Sequence, residues 1–73
     1  MQFTETSQNI RGIEEMLSNP DFLRASNLQS NLNELEQSLT MVAAVLSEHS
    51  GNPQADSLLA RIFDCFSRIN RLR

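Results

Sequence analysis

Leu28-Gln29-Ser30-Asn31-Leu32-Asn33-Glu34-Leu35-Glu36-Gln37-Ser38-Leu39-Thr40-Met41-Val42-Ala43-Ala44-Val45-Leu46 is the stretch that decides how this chain is built. Its apolar residues Leu28, Leu32, Leu35, Leu39, Val42 and Leu46 follow one another at steps of four, three, four, three and four. That alternation is the seam of a helix lying along another helix. The positions between, from Gln29 to Ser38, are polar, so the helix has one apolar face as far as Thr40. Beyond it, Met41 to Leu46 are six consecutive apolar residues. One seam cannot use all six, and this end is expected to be covered on more than one side.

Two Asn-Pro pairs divide the chain. Asn19-Pro20 and Asn52-Pro53 each place a good helix-capping side chain before a proline suited to the first helical position. Gly51, just upstream of the second pair, suits a left-handed residue ending the preceding helix. The first piece, roughly Thr4 to Ser18, carries Ile10, Ile13 and Leu17 on one face with Met16 beside them. Gly12 inside it costs about 1 kcal/mol relative to Ala, so a short helix of modest stability is expected. The second piece runs from Pro20 to about Glu48, with Ser26-x-x-Gln29 as an alternative, capping-box start. Asp21 to Asn27 is then either a first turn or a bent connector. The third piece, Pro53 to about Leu72, is the most apolar. Two tracks overlap in it: Leu59, Ile62, Phe66, Ile69, and Leu58, Ile62, Cys65, Ile69, Leu72, with Phe63 widening the stripe. A helix with a single neighbour needs a narrower face.

The connection from His49 to Asn52 is short enough to force an antiparallel arrangement. The expected fold is therefore all-α: an antiparallel helical hairpin, about 20–48 and 53–72, with a short extra helix or arm in 1–19. All of 1–73 is read as one small domain.

A chain of 73 residues buries little core, and natural examples of this size add disulfides, a metal or association. Cys65 is the only cysteine and His49 the only histidine, so neither an internal disulfide nor a metal site is expected. Association remains. No apolar run approaches the length of a membrane span, and Met1-Gln2-Phe3-Thr4-Glu5 lacks the basic start of a signal peptide. A cytoplasmic location is the expectation.

The net charge of −3 hides an asymmetry. Residues 1–56 set eight acids against Arg11 and Arg24, whereas 57–73 set Asp64 against Arg61, Arg68, Arg71 and Arg73. Cations suit a helix C-terminus, and the acidic remainder would repel phosphate, so no nucleic-acid partner is expected. There is no lysine; every cation is a planar guanidinium suited to pairing with carboxylates.

No motif carries chemistry convincingly. Asp56-Ser57-Leu58 resembles the phosphopantetheine site of carrier proteins, but only 16 residues follow Ser57, whereas such a serine lies near the middle of its domain. A polar first turn explains it. Cys65 between Phe63 and Phe66 reads as a small buried hydrophobe. His49, at the next seam position after Leu46, reads as a histidine favoured by the dipole at a helix C-terminus. Neither Glu14-Glu15 nor the Glu34/Glu36 pair can face its neighbour on a helix, and both read as solvated charges. The expectation is a non-enzymatic chain without cofactors.

The hairpin leaves apolar surface over. The seam Leu28, Leu32, Leu35, Leu39, Val42 and Leu46 is expected to be satisfied within the chain. Leu59, Ile62, Phe63, Phe66 and Ile69, flanked by Met41 and Val45, are expected to form a partner interface. Four or five such side chains left in water would forfeit on the order of 10 kcal/mol, comparable to a whole domain's stability.

This organisation resembles the small co-chaperones of the needle subunit in bacterial type III secretion systems. The resemblance covers Leu28 to Arg73, including the turn Ser50-Gly51-Asn52-Pro53 and the apolar last helix. The segment before Pro20 is additional to the two-helix members. The resemblance implies a binding role: stabilising a larger helical-repeat chaperone and, with it, keeping the needle subunit unpolymerised in the cytoplasm. The alternative is a homodimeric coiled-coil regulator or scaffold, self-associating when alone.

Overall fold

A computed structural model describes residues 3–73; Met1 and Gln2, which begin the N-terminal segment, lie outside the described residues. Four helices follow in order: α1 (Thr4–Ser18), α2 (Pro20–Leu23), α3 (Leu28–Ser47) and α4 (Pro53–Leu72), with no strand among the described residues. The chain is all-α.

Both Asn-Pro pairs start helices. The Asn52 side-chain oxygen accepts from the backbone N–H of Gln54 at 2.9 Å and of Ala55 at 3.4 Å, with Pro53 as the first helical residue. Two early donors of α4 are thereby satisfied. Asn19 does the same for α2, accepting from the Asp21 N–H at 2.9 Å. Gly51 adopts φ +93°, the left-handed region, at the turn between α3 and α4.

The expected helix over 20–48 is not continuous. It stops after Leu23 and restarts at Leu28, with Ala25 donating to the Phe22 carbonyl and Leu28 to that of Ala25. Asn27 holds the N-cap position, without a side-chain cap bond, so the Ser26/Gln29 capping box does not form. Tertiary structure explains the break. In a continuous helix Phe22 would point about 100° away from the inward direction of Leu39. The break turns the chain from α1 into α3 and lets Phe22 pack against the core.

Cross-helix contacts fix the directions. Arg73, after α4, reaches Asn33 at 2.8 Å and Glu36 at 3.1 Å near the start of α3, so α3 and α4 are antiparallel. Arg61 bonds Ser7 and Glu14, and Arg68 bonds Ser18, so α1 runs parallel to α4. Phe3 meets His49 edge-on, ring centres 5.4 Å apart, which ties the start of α1 to the end of α3. The result is an up-down-up bundle of three long helices, with α2 as one turn at its end. The expected extra N-terminal helix is present as α1 and packs along both α3 and α4 as a third wall of this bundle.

The core takes Phe3, Ile10, Ile13 and Leu17 from the N-terminal segment, and Ala55, Leu58, Ile62, Cys65 and Ile69 from α4. From α3 it takes Leu32, Leu39 and Leu46, which are seven residues apart. The other half of the α3 seam, Leu28, Leu35 and Val42, is only half-buried and packs at the core's edge. No charged or polar side chain is buried among the described residues.

Candidate protein-binding surface

α4 has two unlike flanks. One carries Arg61 and Arg68 toward α1. The Arg61 guanidinium grips the Glu14 carboxylate with Nη2–Oε1 2.7 Å and Nε–Oε2 3.4 Å, and its Nη1 donates to the Ser7 hydroxyl at 3.3 Å. The hydrogen bond from Arg61 holds the Glu14 carboxyl below its ordinary pKa and outweighs the opposing effect of burial; the same bond raises Arg61. Arg68 donates to the Ser18 hydroxyl at 2.7 Å.

The opposite flank carries Phe63, about 200° around the helix from Arg61. Phe63 is 60% exposed, between half-buried Leu59 one turn before and Phe66 one turn after. Together the three side chains form an apolar edge along α4, with the Phe63 ring its exposed part.

The residues expected to share one interface therefore separate. Ile62 and Ile69 are fully buried inside the bundle and present no surface. They lie on both overlapping tracks of α4, and the third wall supplied by α1 takes them inward. Leu59 and Phe66 are half-buried against the core. Met41 and Val45 are 72% and 53% exposed, but on a different side from Phe63. Met41 lines a groove of about 460 Å³ between α1 and α3, with Asn9, Ile13, Met16, Leu35, Ser38 and Val42. Met16, 41% exposed, belongs to this second patch and was not expected in an interface. Its exposure depends on how α1 is rotated against α3, which its own spacing in α1 does not report.

The acids differ from the expected solvated pairs. Glu14 is held by Arg61 and Glu36 by Arg73, each bridging two helices. Glu15 pairs with Arg11 one turn before it at 3.5 Å, in water. Three of the four C-terminal arginines are thus engaged within the bundle, through Glu14, Ser18 and Glu36, which no local pattern announces. Arg71 donates only to the Ser67 carbonyl, at 3.4 Å.

Cys65 is fully buried, and burial pushes its thiol pKa up. That disfavours the reactive thiolate. Asp56 and Ser57 lie exposed in the first turn of α4. No group of three or more His, Cys, Asp or Glu side chains is placed to hold a metal among the described residues. No helix among them is long and apolar enough to cross a membrane. Comparison with family models, with curated proteins and with solved structures returns no match.

Proposed function

We propose that the chain is a non-enzymatic protein-binding module: a small cytoplasmic co-chaperone of the type III secretion kind. Its Phe63 edge seats in a larger helical-repeat chaperone, and the pair keeps the needle subunit unpolymerised. The observation that carries this reading is Phe63 itself, an exposed aromatic ring between half-buried Leu59 and Phe66. Fully burying a large apolar side chain contributes about 1.5–3 kcal/mol, of which Phe63, 60% exposed, has roughly half still to gain, and aromatic residues including Phe are enriched in interface cores.

The test is co-expression with the helical-repeat chaperone and needle subunit of the same genome, followed by affinity and size-exclusion chromatography. Wild type is expected to co-elute with the chaperone, and Phe63→Asp to lose it while keeping its helical circular dichroism. Undiminished capture of Phe63→Asp refutes this assignment of the surface. A wild-type chain that captures neither protein, and is a dimer by light scattering that Phe63→Asp dissolves, replaces the co-chaperone with a homodimeric regulator or scaffold.

A further inference from the structure

The groove between α1 and α3 lies on another side of the bundle from Phe63 and has its own chemistry. Its floor is apolar, with Ile13, Leu35 and Val42, and its rims are Met16 on α1 and Met41 on α3. Methionine makes an adaptable apolar rim, because its thioether is flexible and polarizable. Along α3, Glu34, Met41 and Glu48 are seven residues apart and form one stripe. The two carboxylates bracket Met41 at about 10 Å on either side. Neither Glu34 nor Glu48 makes an ion pair among the described residues. Arg61 is held by Glu14, Arg68 by Ser18, and Arg73 by Asn33 and Glu36 on the side of α3 that faces α4; Arg11 is paired with Glu15, and Arg24 sits in the connector before α3. The groove is thus a largely apolar trough, with Asn9 and Ser38 also in its lining, and an acid that makes no ion pair among the described residues stands near each end.

We propose that this trough docks a basic amphipathic helix of another protein. That helix presents apolar residues along its centre and a Lys or Arg about one heptad to either side. Charge complementarity selects this occupant. A second copy of the chain is the wrong shape electrostatically. Two-fold antiparallel pairing centred on Met41 sets Glu34 against Glu48 of the other copy, and parallel pairing sets Glu34 against Glu34. The surface is separate from the Phe63 edge, so a module holding one partner there keeps this face free for another.

The methionine methyls report directly. The chain has three methionines, of which Met16 and Met41 line the groove. The full chain carrying 13C-methyl methionine is titrated with a synthetic helix of about 20 residues, long enough to span the stripe. The peptide has a leucine seam and lysines at heptad spacing; a control has glutamate at each lysine. The lysine peptide is expected to shift the Met16 and Met41 signals saturably, and the control to leave them in place. The apparent Kd is expected to rise at least about fivefold in Glu34→Gln/Glu48→Gln, and again in ~0.5 M salt, where exposed charges are screened. Phe63→Asp is expected to bind as wild type, so failure of the co-chaperone reading does not touch this result. Three results overturn the proposal: no saturable shift, equal binding of the glutamate control, or Kd unchanged in Glu34→Gln/Glu48→Gln. Met16 and Met41 shifts that grow with protein concentration alone also overturn it, in favour of self-association.

Discussion

Substituting Leu39 and Leu35 one at a time by alanine tests the bundle where it differs most from a simple coiled coil. Both residues lie on the same seam, four apart, and a symmetric two-helix seam would bury them equally. Here Leu39 is fully buried and Leu35 only half. Leu39→Ala removes three carbons from a closed site and leaves a cavity, which costs about 2.7–5 kcal/mol. Leu35→Ala removes them beside an open groove that water fills. No cavity term arises, and half the transfer term remains, about 1–1.5 kcal/mol. A domain of this length has a total stability of roughly 4–11 kcal/mol, so the first change brings it close to unfolding and the second does not. With a urea slope of about 1 kcal/mol/M for so small a chain, the midpoints are expected to fall by about 3–5 M and about 1–1.5 M. Far-UV circular dichroism in urea at 15 °C, near the usual stability maximum, measures both. Equal shifts would refute the assignment of inward and edge positions. A midpoint that rises with protein concentration over a hundredfold range would show instead that α3 is completed by a second chain.

Four further outcomes follow from particular groups. Gly12 and Gly51 both have open space where a Cβ would sit, so backbone preference alone decides. Gly12→Ala in the interior of α1 is expected to stabilise by about 1 kcal/mol, and Gly51→Ala at φ +93° to destabilise by about 1–2 kcal/mol, both read from urea midpoints. Glu14 has a lowered pKa in the folded chain, so between its folded and unfolded values the unfolded state binds more protons. Its contribution is complete above about pH 4.3 and is lost as pH falls through the folded value. Glu14→Gln is expected to reduce the wild type's loss of stability between pH 6 and pH 3 by up to about 1 kcal/mol, discounted because the pair is partly solvated; an unchanged acid profile refutes it. Cys65 is expected to react with a thiol reagent only through unfolding, at least about a thousandfold slower than in the unfolded chain for a stability of about 4 kcal/mol. Labelling that does not slow when the fold is stabilised by Gly12→Ala counts against a closed core at this position.

The helical class was legible because the signals are local. Asn52 and Asn19 cap the helices that follow them, Gly51 takes the left-handed turn, and the spacing of Ile10, Ile13 and Leu17 marks a buried face. The break between Leu23 and Leu28 was not, because both leucines fit a continuous helix and the break goes with a tertiary contact, Phe22 packing partly buried against the core. The choice between the two α4 tracks was equally hidden. It follows from Arg61 and Arg68 reaching Glu14 and Ser18, residues about fifty positions away whose pairing has no mark in the sequence. With α1 on that flank, Leu58 and Cys65 join Ile62 and Ile69 in the core, Leu59 and Phe66 stay half-buried, and Phe63 faces outward. The expected single interface becomes two patches, and Met16 joins the second.

The parallel docking of α1 on α4 also bears on how the chain is made. The bonds that hold α1 in place join Ser7, Glu14 and Ser18 to residues 47 to 54 positions later in the chain. Emerging from a ribosome, Ile10, Ile13 and Leu17 meet α3 early, but the helix they lean on most comes last. Local helices form quickly, whereas contacts between distant segments wait on loop closure. A nascent chain therefore carries a sticky α1 stripe until α4 has been synthesised. A stall before α4 has left the ribosome would leave an exposed apolar strip for holdase chaperones to bind, and docking of α4 withdraws it.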